Sequence, residues 1–221
     1  MNRSESIVFD PEKLVELRKL VSRGEGQHLE FKRKTSYPDK ILRELIAFAN
    51  SQGGILLIGV DDDKSIPGVK YPEEESLVIH NEIKKHCRPG LAFHESIIPI
   101  SEKRFVLQWR IPKSEKRPHF FVVNTERISF VRQGEQSIKA SREMTEIIRR
   151  SKSLKGTRFI YGEAEQKLIH FLGIQSTISL QEFLELTGLN RYMASRKIVR
   201  LVLANVLKIT ATEKGDLYSR V

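Results

Sequence analysis

Glu25, Glu30 and the run Asp61-Asp62-Asp63 are the side chains of this sequence best suited to chemistry. Carboxylates held within about 4 to 6 Å of one another repel, unless water screens them or a hard divalent cation such as Mg²⁺ or Mn²⁺ takes their oxygens. A metal held that way beside cationic side chains is the equipment for cutting phosphodiesters, by activating water and stabilising the leaving oxygen. Lys32, Arg33 and Lys34 follow Glu30 directly and suit the phosphates of such a substrate. The alternative is plain: Glu30 a solvent-facing strand residue, the aspartates a solvated turn, Glu25 a surface charge. Both readings stay open on spacing alone.

The elements that position these groups can be read from periodicity. "HLEFKRK" alternates, with Leu29 and Phe31 on one side and His28, Glu30 and Lys32 on the other, which predicts a half-buried strand. Asp39 is placed to cap a helix whose apolar face is Ile41, Leu42, Leu45, Ile46, Phe48 and Ala49, ended by Gly53-Gly54. Ile55 to Val60 is almost wholly apolar, as a central strand covered on both faces should be, and it delivers the aspartates at its far end. If the strand carrying Glu30 pairs with it, the carboxylates meet. Upstream, Asp10-Pro11 reads as a cap and first helical residue. Downstream, Ser76 to Cys87 reads as a helix. Ser96 to Ile100, Arg104 to Ile111, His119 to Asn124 and Arg127 to Arg132 read as strands. Met144 to Arg150 reads as a short helix closing a first domain over residues 1 to 148. Residues 149 to 160 read as a basic linker.

The tail, residues 161 to 221, has another rhythm. Glu163 to Leu172 is a helix, Ser179 and Glu182 form a capping box for a second, and Gly188 separates it from a third beginning at Asn190. "LKITATEKGDLYSRV" then reads as a hairpin. This order predicts a winged helix-turn-helix. Its third helix would put Arg191, Arg196 and Arg200 toward the major groove, with Lys214 on the wing near the backbone. The same pattern also suits a small domain that only dimerises the protein.

Charge supports a polyanionic partner. The 221 residues carry net charge +10, with 38 Lys+Arg against 28 Asp+Glu. Residues 101 to 158 hold 15 of those cations against 6 of the acids. A concentrated positive field attracts DNA or RNA through phosphate contacts, and Arg117, Arg132 and Lys139 are the expected contacts. A single cysteine excludes internal disulfides and cysteine-rich zinc sites. No run of about 18 apolar residues suggests a membrane span. The opening MNRSESIVFDPEK lacks a signal-peptide apolar stretch, so a cytoplasmic location is expected.

Three ordered stretches, "GEGQHLEFKRK", "ELIAFANSQGGILLIGVDDD" and "IPGV", make residues 20 to 150 resemble the AlbA-type domain of Schlafen proteins, also found as stand-alone bacterial chains. "KRPHFF" and "ISFVRQGEQSIKAS" are similar to the family's later strands. The resemblance implies an α+β domain, a mixed sheet with flanking helices, that binds nucleic acid, and a DNA-binding regulator is the expected function. In members that cleave RNA, the family pattern places two glutamates five apart and an aspartate after the central strand. Those positions fall on Glu25, Glu30 and Asp62, with Asp61 the other register. Gly26 departs from the usual small hydroxyl residue, and three aspartates stand where two are usual. Family members are sometimes labelled ATP-binding, but no GxxxxGK[ST] loop exists here, so ATP is not supported. Schlafens pair two such domains in one chain; one copy here implies a homodimer.

Overall fold

The computed structural model describes residues 10–151 and 157–221, which fall into two compact units, Met1–Ser137 and Ile138–Val221. In the first unit the order is α1 (Pro11–Arg23), β1 (Leu29–Lys32), α2 (Pro38–Asn50), β2 (Gly54–Ile58), α3 (Pro72–His86), β3 (Cys87–Arg88), β4 (His94–Ser101), β5 (Arg104–Ile111), β6 (Phe120–Val123), β7 (Glu126–Ile128) and β8 (Phe130–Gln133). The boundary falls inside β9 (Gln136–Lys139). The second unit continues with α4 (Arg142–Arg150), α5 (Glu163–Ile174), β10 (Ile178–Ser179), α6 (Leu180–Thr187), α7 (Arg191–Leu203), β11 (Leu207–Thr210) and β12 (Leu217–Arg220). Among the described residues no helix is long and apolar enough to cross a membrane.

The first unit is built on a mixed sheet in the order β1-β2-β5-β4. β1 runs parallel to β2, with Glu30 opposite Leu56, and β5 runs antiparallel to β2. Alternation sorts the two faces. Leu29, Phe31 and Leu57 pack with Leu17 and Val21 of α1. Leu56, Ile58, Leu107 and Trp109 pack with Ile41, Leu45 and Phe48 of α2 and with Ile79 and Ile83 of α3. β1 is therefore covered on both sides, and Glu30, expected to face water, is buried. A second sheet, β3-β6-β7, adjoins the α2–α3 core through Phe121. Cys87 is buried in that core, where desolvation pushes its thiol up to about 12.

Local chemistry explains where elements start. Asp10 Oδ1 accepts from Glu12 N and Lys13 N, capping α1 as its position suggests. α2 differs from expectation: Pro38 is already its first residue, Tyr37 stands at the cap without a side-chain bond, and Asp39 instead reaches Arg43. α3 begins at Pro72, ahead of the expected Ser76, because proline at the first position and Glu73, Glu74 and Glu75 in the first turn suit a helix N-terminus. β2 stops at Ile58 because Gly59 turns with φ +98°, and a Cβ there would lie 2.9 Å from Phe105 O.

In the second unit α4 packs against α7, and Ser141 Oγ, its cap, donates to Asp216. The helix expected to close the first domain thus belongs to the second, because its apolar side Met144, Ile147 and Ile148 is buried there. Of the expected linker, residues 152–156 lie outside the described residues, while Arg149 and Arg150 end α4. α5, α6 and α7 surround a core of Leu168, Leu172, Phe183, Ile198 and Leu201. β10, β12 and β11 form a three-stranded sheet in that order, with Tyr218 buried against the helices.

Candidate nucleic-acid interface

Glu30, Arg132 and Glu44 form a buried ionic cluster. The pleat sends Glu30 to the α2 side of β1, where Arg132 of β8 meets it at 2.6 Å. The same guanidinium meets Glu44 of α2 at 2.6 Å and donates through Nε and Nη2 to Gly26 O at 3.1 and 2.9 Å. Its Cζ lies 5.0 Å from the Phe48 ring centroid, and its side chain is 0% exposed. Lys32 Nζ holds the other Glu30 oxygen, and Ser137 Oγ donates to Glu44. Buried charges persist when paired and hydrogen-bonded, as these are. Burial still pushes the Glu44 carboxyl above its ordinary range. The Glu30 charge adds to that, and Ser137, Arg132 and Lys32 oppose it.

Arg132 is therefore not a phosphate contact, contrary to the sequence expectation. Arg117 is corrected likewise. It is buried, its Nη1 donating to Ser114 O at 2.7 Å beneath the loop before β6. Lys139 is exposed as expected. Among the solvent-facing cations that sequence reasoning passed over are Lys103, Arg104, Arg110, Lys113, Lys116 and Arg127. Lys113 reaches Gln52 Oε1 at 3.2 Å, and Arg110 stands opposite Ile55 in the sheet register. The alternation of β5 was a signal for Arg110, since its neighbours Trp109 and Ile111 are apolar and point inward. Glu44 was also legible, as it follows Ile41 by three residues and precedes Phe48 by four on the apolar face of α2.

The acidic residues do not converge into a cage. Glu25, half-buried, accepts from Phe31 N at 2.7 Å. Burial raises its carboxyl, the Phe31 amide opposes that, and the charges of Glu30 and Asp62 raise it further. Those three groups thus share an electrostatic neighbourhood. Asp61, Asp62 and Asp63 form a turn beyond β2: Lys64 N donates to Asp61 O and Ser65 N to Asp63 Oδ1 at 2.8 Å, and the Ser65 hydroxyl first, with that backbone N–H next, holds the Asp63 carboxyl low. Asp61 lies 3.3 Å from Arg33, whose side chain is 68% exposed, a pairing worth little in water. Asp62 is exposed. Among the described residues no three His, Cys, Asp or Glu side chains stand together as a metal site. With both Glu30 oxygens held by Lys32 and Arg132, the donor set does not fit a divalent cation in this arrangement. Lys32 is committed to Glu30, leaving Arg33 and Lys34 as the exposed cations of that stretch.

In the second unit α7 turns Ala194, Ile198, Val199 and Leu201 inward. Arg191 and Arg196 are exposed and Arg200 is half-buried, and among the described residues none of the three pairs with a carboxylate. Lys197 is paired, its Nζ 2.5 Å from Glu165 of α5. Lys214 is exposed between β11 and β12.

These features define an α+β unit on a mixed sheet, fastened by a buried Glu–Arg–Glu cluster and followed by a smaller helical unit with its own sheet. Residues 25–141 match the sequence model of the Schlafen, AlbA_2 family, more than half of the chain, and the chain belongs to that family. Two solved structures are similar. The N-terminal domain of a RecG-related protein from Nitrosomonas europaea shares 19% identity over 53% of this chain and 87% of its own, with TM-score 0.43. The DIP2311 protein from Corynebacterium diphtheriae shares 16% identity over 93% of this chain, with TM-score 0.45. This chain spans 38% of the latter's length. No functionally curated protein matches the sequence.

Proposed function

We propose that this protein binds nucleic acid and acts as a DNA-binding regulator, its second unit serving as a winged helix-turn-helix. The observation that carries this reading is α7. One of its sides is buried, and the other bears Arg196 and Arg200, with Arg191 exposed at its N-terminal end, none of the three with a carboxylate partner among the described residues. α6 and α7 are joined through Gly188 in a left-handed turn, φ +67°, and the β11–β12 hairpin with Lys214 follows. That order supports major-groove docking by α7 with the hairpin as the wing. In the first unit, Arg33, Lys34, Arg110, Lys113, Lys116 and, beyond the boundary, Lys139 are the exposed cations that would add sequence-independent phosphate contacts. The rival reading, metal-dependent RNA cleavage by Glu25, Glu30 and Asp62, lacks a donor set in this arrangement to support it.

The experiment is duplex binding by the full chain with Arg196→Ala and Arg200→Ala together. Each bidentate base contact is worth about 1 to 3 kcal/mol, so selected sites should weaken at least tenfold while non-specific duplex weakens less. Equal affinity of variant and parent for the best duplex would leave the tail as an assembly module.

The proposal includes a two-fold homodimer, in the cytoplasm. β4 is an outer strand of its sheet, and Ile97 on it and Leu77 of α3 beside it are exposed. An open strand edge flanked by apolar side chains favours pairing with a second copy.

A further inference from the structure

The outer side of α7 is more than a row of cations. A cavity of about 230 Å³ lies along it, lined by Phe159, Ile160, Tyr192, Met193, Arg196 and Arg200. Ile160, Tyr192 and Met193 are 82%, 68% and 46% exposed. Large apolar side chains gathered at one opening mark a binding surface rather than scattered surface residues. Arg196 supplies a second kind of wall: its Cζ lies 5.4 Å from the Tyr192 ring centroid, and its Nη1 donates to the Tyr192 hydroxyl at 3.0 Å. The acid in the lining, Glu165, is held by Lys197, so it does not neutralise either arginine.

The lining therefore asks for a ligand with two properties, a flat apolar face and a negative charge beside it. The volume is below the roughly 300 to 1,000 Å³ of drug-sized sites, which suits one ring system with its charged substituent. We propose that this cavity is a nucleotide pocket, the base lying against Tyr192 and Met193 and the phosphate on Arg196 and Arg200. Aromatic and guanidinium planes stack on any base, because every base has a π-face. A guanidinium fork binds phosphate oxygens through paired, charge-assisted hydrogen bonds. A free nucleotide and an unpaired nucleotide within a strand present the same chemistry; a stacked and paired base does not. The pocket goes beyond the duplex reading. It would also couple to it, since a nucleotide on Arg196 and Arg200 withdraws both from a duplex.

Methionine makes the test direct. The chain has three methionines, and Met193 alone lines the cavity. In full-length protein labelled at the methionine methyl carbons, with Met193 assigned from Met193→Leu, a base stacked nearby shifts that resonance through its ring current. Adenosine and guanosine monophosphate, or a short single-stranded oligodeoxynucleotide, should shift Met193 saturably and leave Met144 in place. Adenosine alone and inorganic phosphate alone should bind about tenfold or more weakly, as each lacks one of the two contacts. Tyr192→Leu, which keeps an apolar side chain but no ring, should weaken the nucleotide about tenfold with Met144 unmoved. A shift with monophosphates assigns a free nucleotide; a shift with the oligonucleotide only assigns an unpaired nucleotide in a strand. A Met193 methyl unmoved by both, or moved as readily by phosphate alone, overturns the proposal. Duplex binding that persists in that case leaves the regulator reading standing without the pocket.

Discussion

Replacing Arg132 by methionine separates a structural cation from a phosphate contact. The substitution keeps the length and apolar stem of the side chain but removes the guanidinium that joins Glu30, Glu44 and the Gly26 carbonyl. Breaking a buried pair from one side costs about 3 to 5 kcal/mol. Here the lower end is expected, because Lys32 still serves Glu30 and Ser137 still serves Glu44. For a unit spanning Met1–Ser137, with roughly 3 °C of melting temperature per kcal/mol, the first unit should melt about 10 °C lower. The single tryptophan, Trp109, is buried in that unit's core, so its fluorescence follows this transition without the second unit. The deficit should depend on pH with a definite sign. The Glu44 carboxyl lies above its ordinary value in the folded protein, through burial first and the Glu30 charge next. An acid raised on folding binds protons more tightly when folded, so stability falls as pH rises from the unfolded value through the folded one, and acidification restores it. Losing Arg132 removes an opposing influence, so the deficit should be greatest at pH 7 and shrink toward pH 5. Adding Glu44→Met should recover most of the loss at pH 7, since Lys32 and Glu30 then remain as a neutral pair. Nucleic-acid affinity of the folded variant should keep its salt dependence. A variant as stable as the parent, whose salt slope drops by about one phosphate contact, would show Arg132 on the surface and refute this reasoning.

The remaining outcomes are of different kinds. Lys113→Gln with Lys116→Gln should flatten the slope of log affinity against log salt by up to about 0.9 for each phosphate no longer neutralised on duplex DNA, with the melting temperature unchanged; an unchanged slope would take that loop out of the interface. Millimolar Mn²⁺ should leave the melting temperature where it is, because Glu30 is already held by two cations. Glu25→Gln should raise it at pH 7, since Glu25 is raised first by burial and also by Glu30 and Asp62. A metal-dependent rise that Glu25→Gln abolishes would show instead that the carboxylates close on a cation. Light scattering should give a dimer that Ile97→Lys converts to monomer, and a parent that is monomeric at every concentration would remove β4 as an interface.

Much of the first unit was legible because its period is clean. The apolar run after Gly54 gives β2, the alternation of Leu29 and Phe31 gives β1, and their parallel pairing follows the expectation that Glu30's strand lies beside the central one. What escaped the sequence was the second face of β1. Glu30 alternates as a solvent-facing residue would, and besides its neighbour Lys32 it is Arg132, 102 positions away, that makes its burial tolerable. Local pattern does not report such a partner. Met144 to Arg150 reads as a helix from its own residues, but which core receives it depends on Asp216 and α7, far along the chain. The stretch after Arg127 reads as one strand; Ser129 splits it into β7 and β8 because its hydroxyl turns inward to His119 O and Asn50.

The charge surplus needs the same discrimination. A sum over residues 101 to 158 treats Arg117 and Arg132 as part of a positive surface, yet both point inward. Arg132 is cancelled by Glu30 and Glu44, which lie outside that segment and so never entered its balance. Cations count toward a polyanion only where they face water and no buried carboxylate holds them. By that measure Lys113, Lys116 and Arg110 gain weight in the first unit. In the second, Arg196 and Arg200 gain it over Lys197, which Glu165 already holds. The buried arginine and the exposed ones are nevertheless linked. Arg132 fastens β8 to β1 and α2, and Gln27 Nε2 donates to its carbonyl at 3.0 Å, joining the Glu25–Gln27 turn to the same strand. Arg33 and Lys34 leave β1 from that fastened frame. Loss of the buried cation should therefore reach the interface through position rather than charge, lowering affinity alike for every sequence and salt concentration once the first unit loosens.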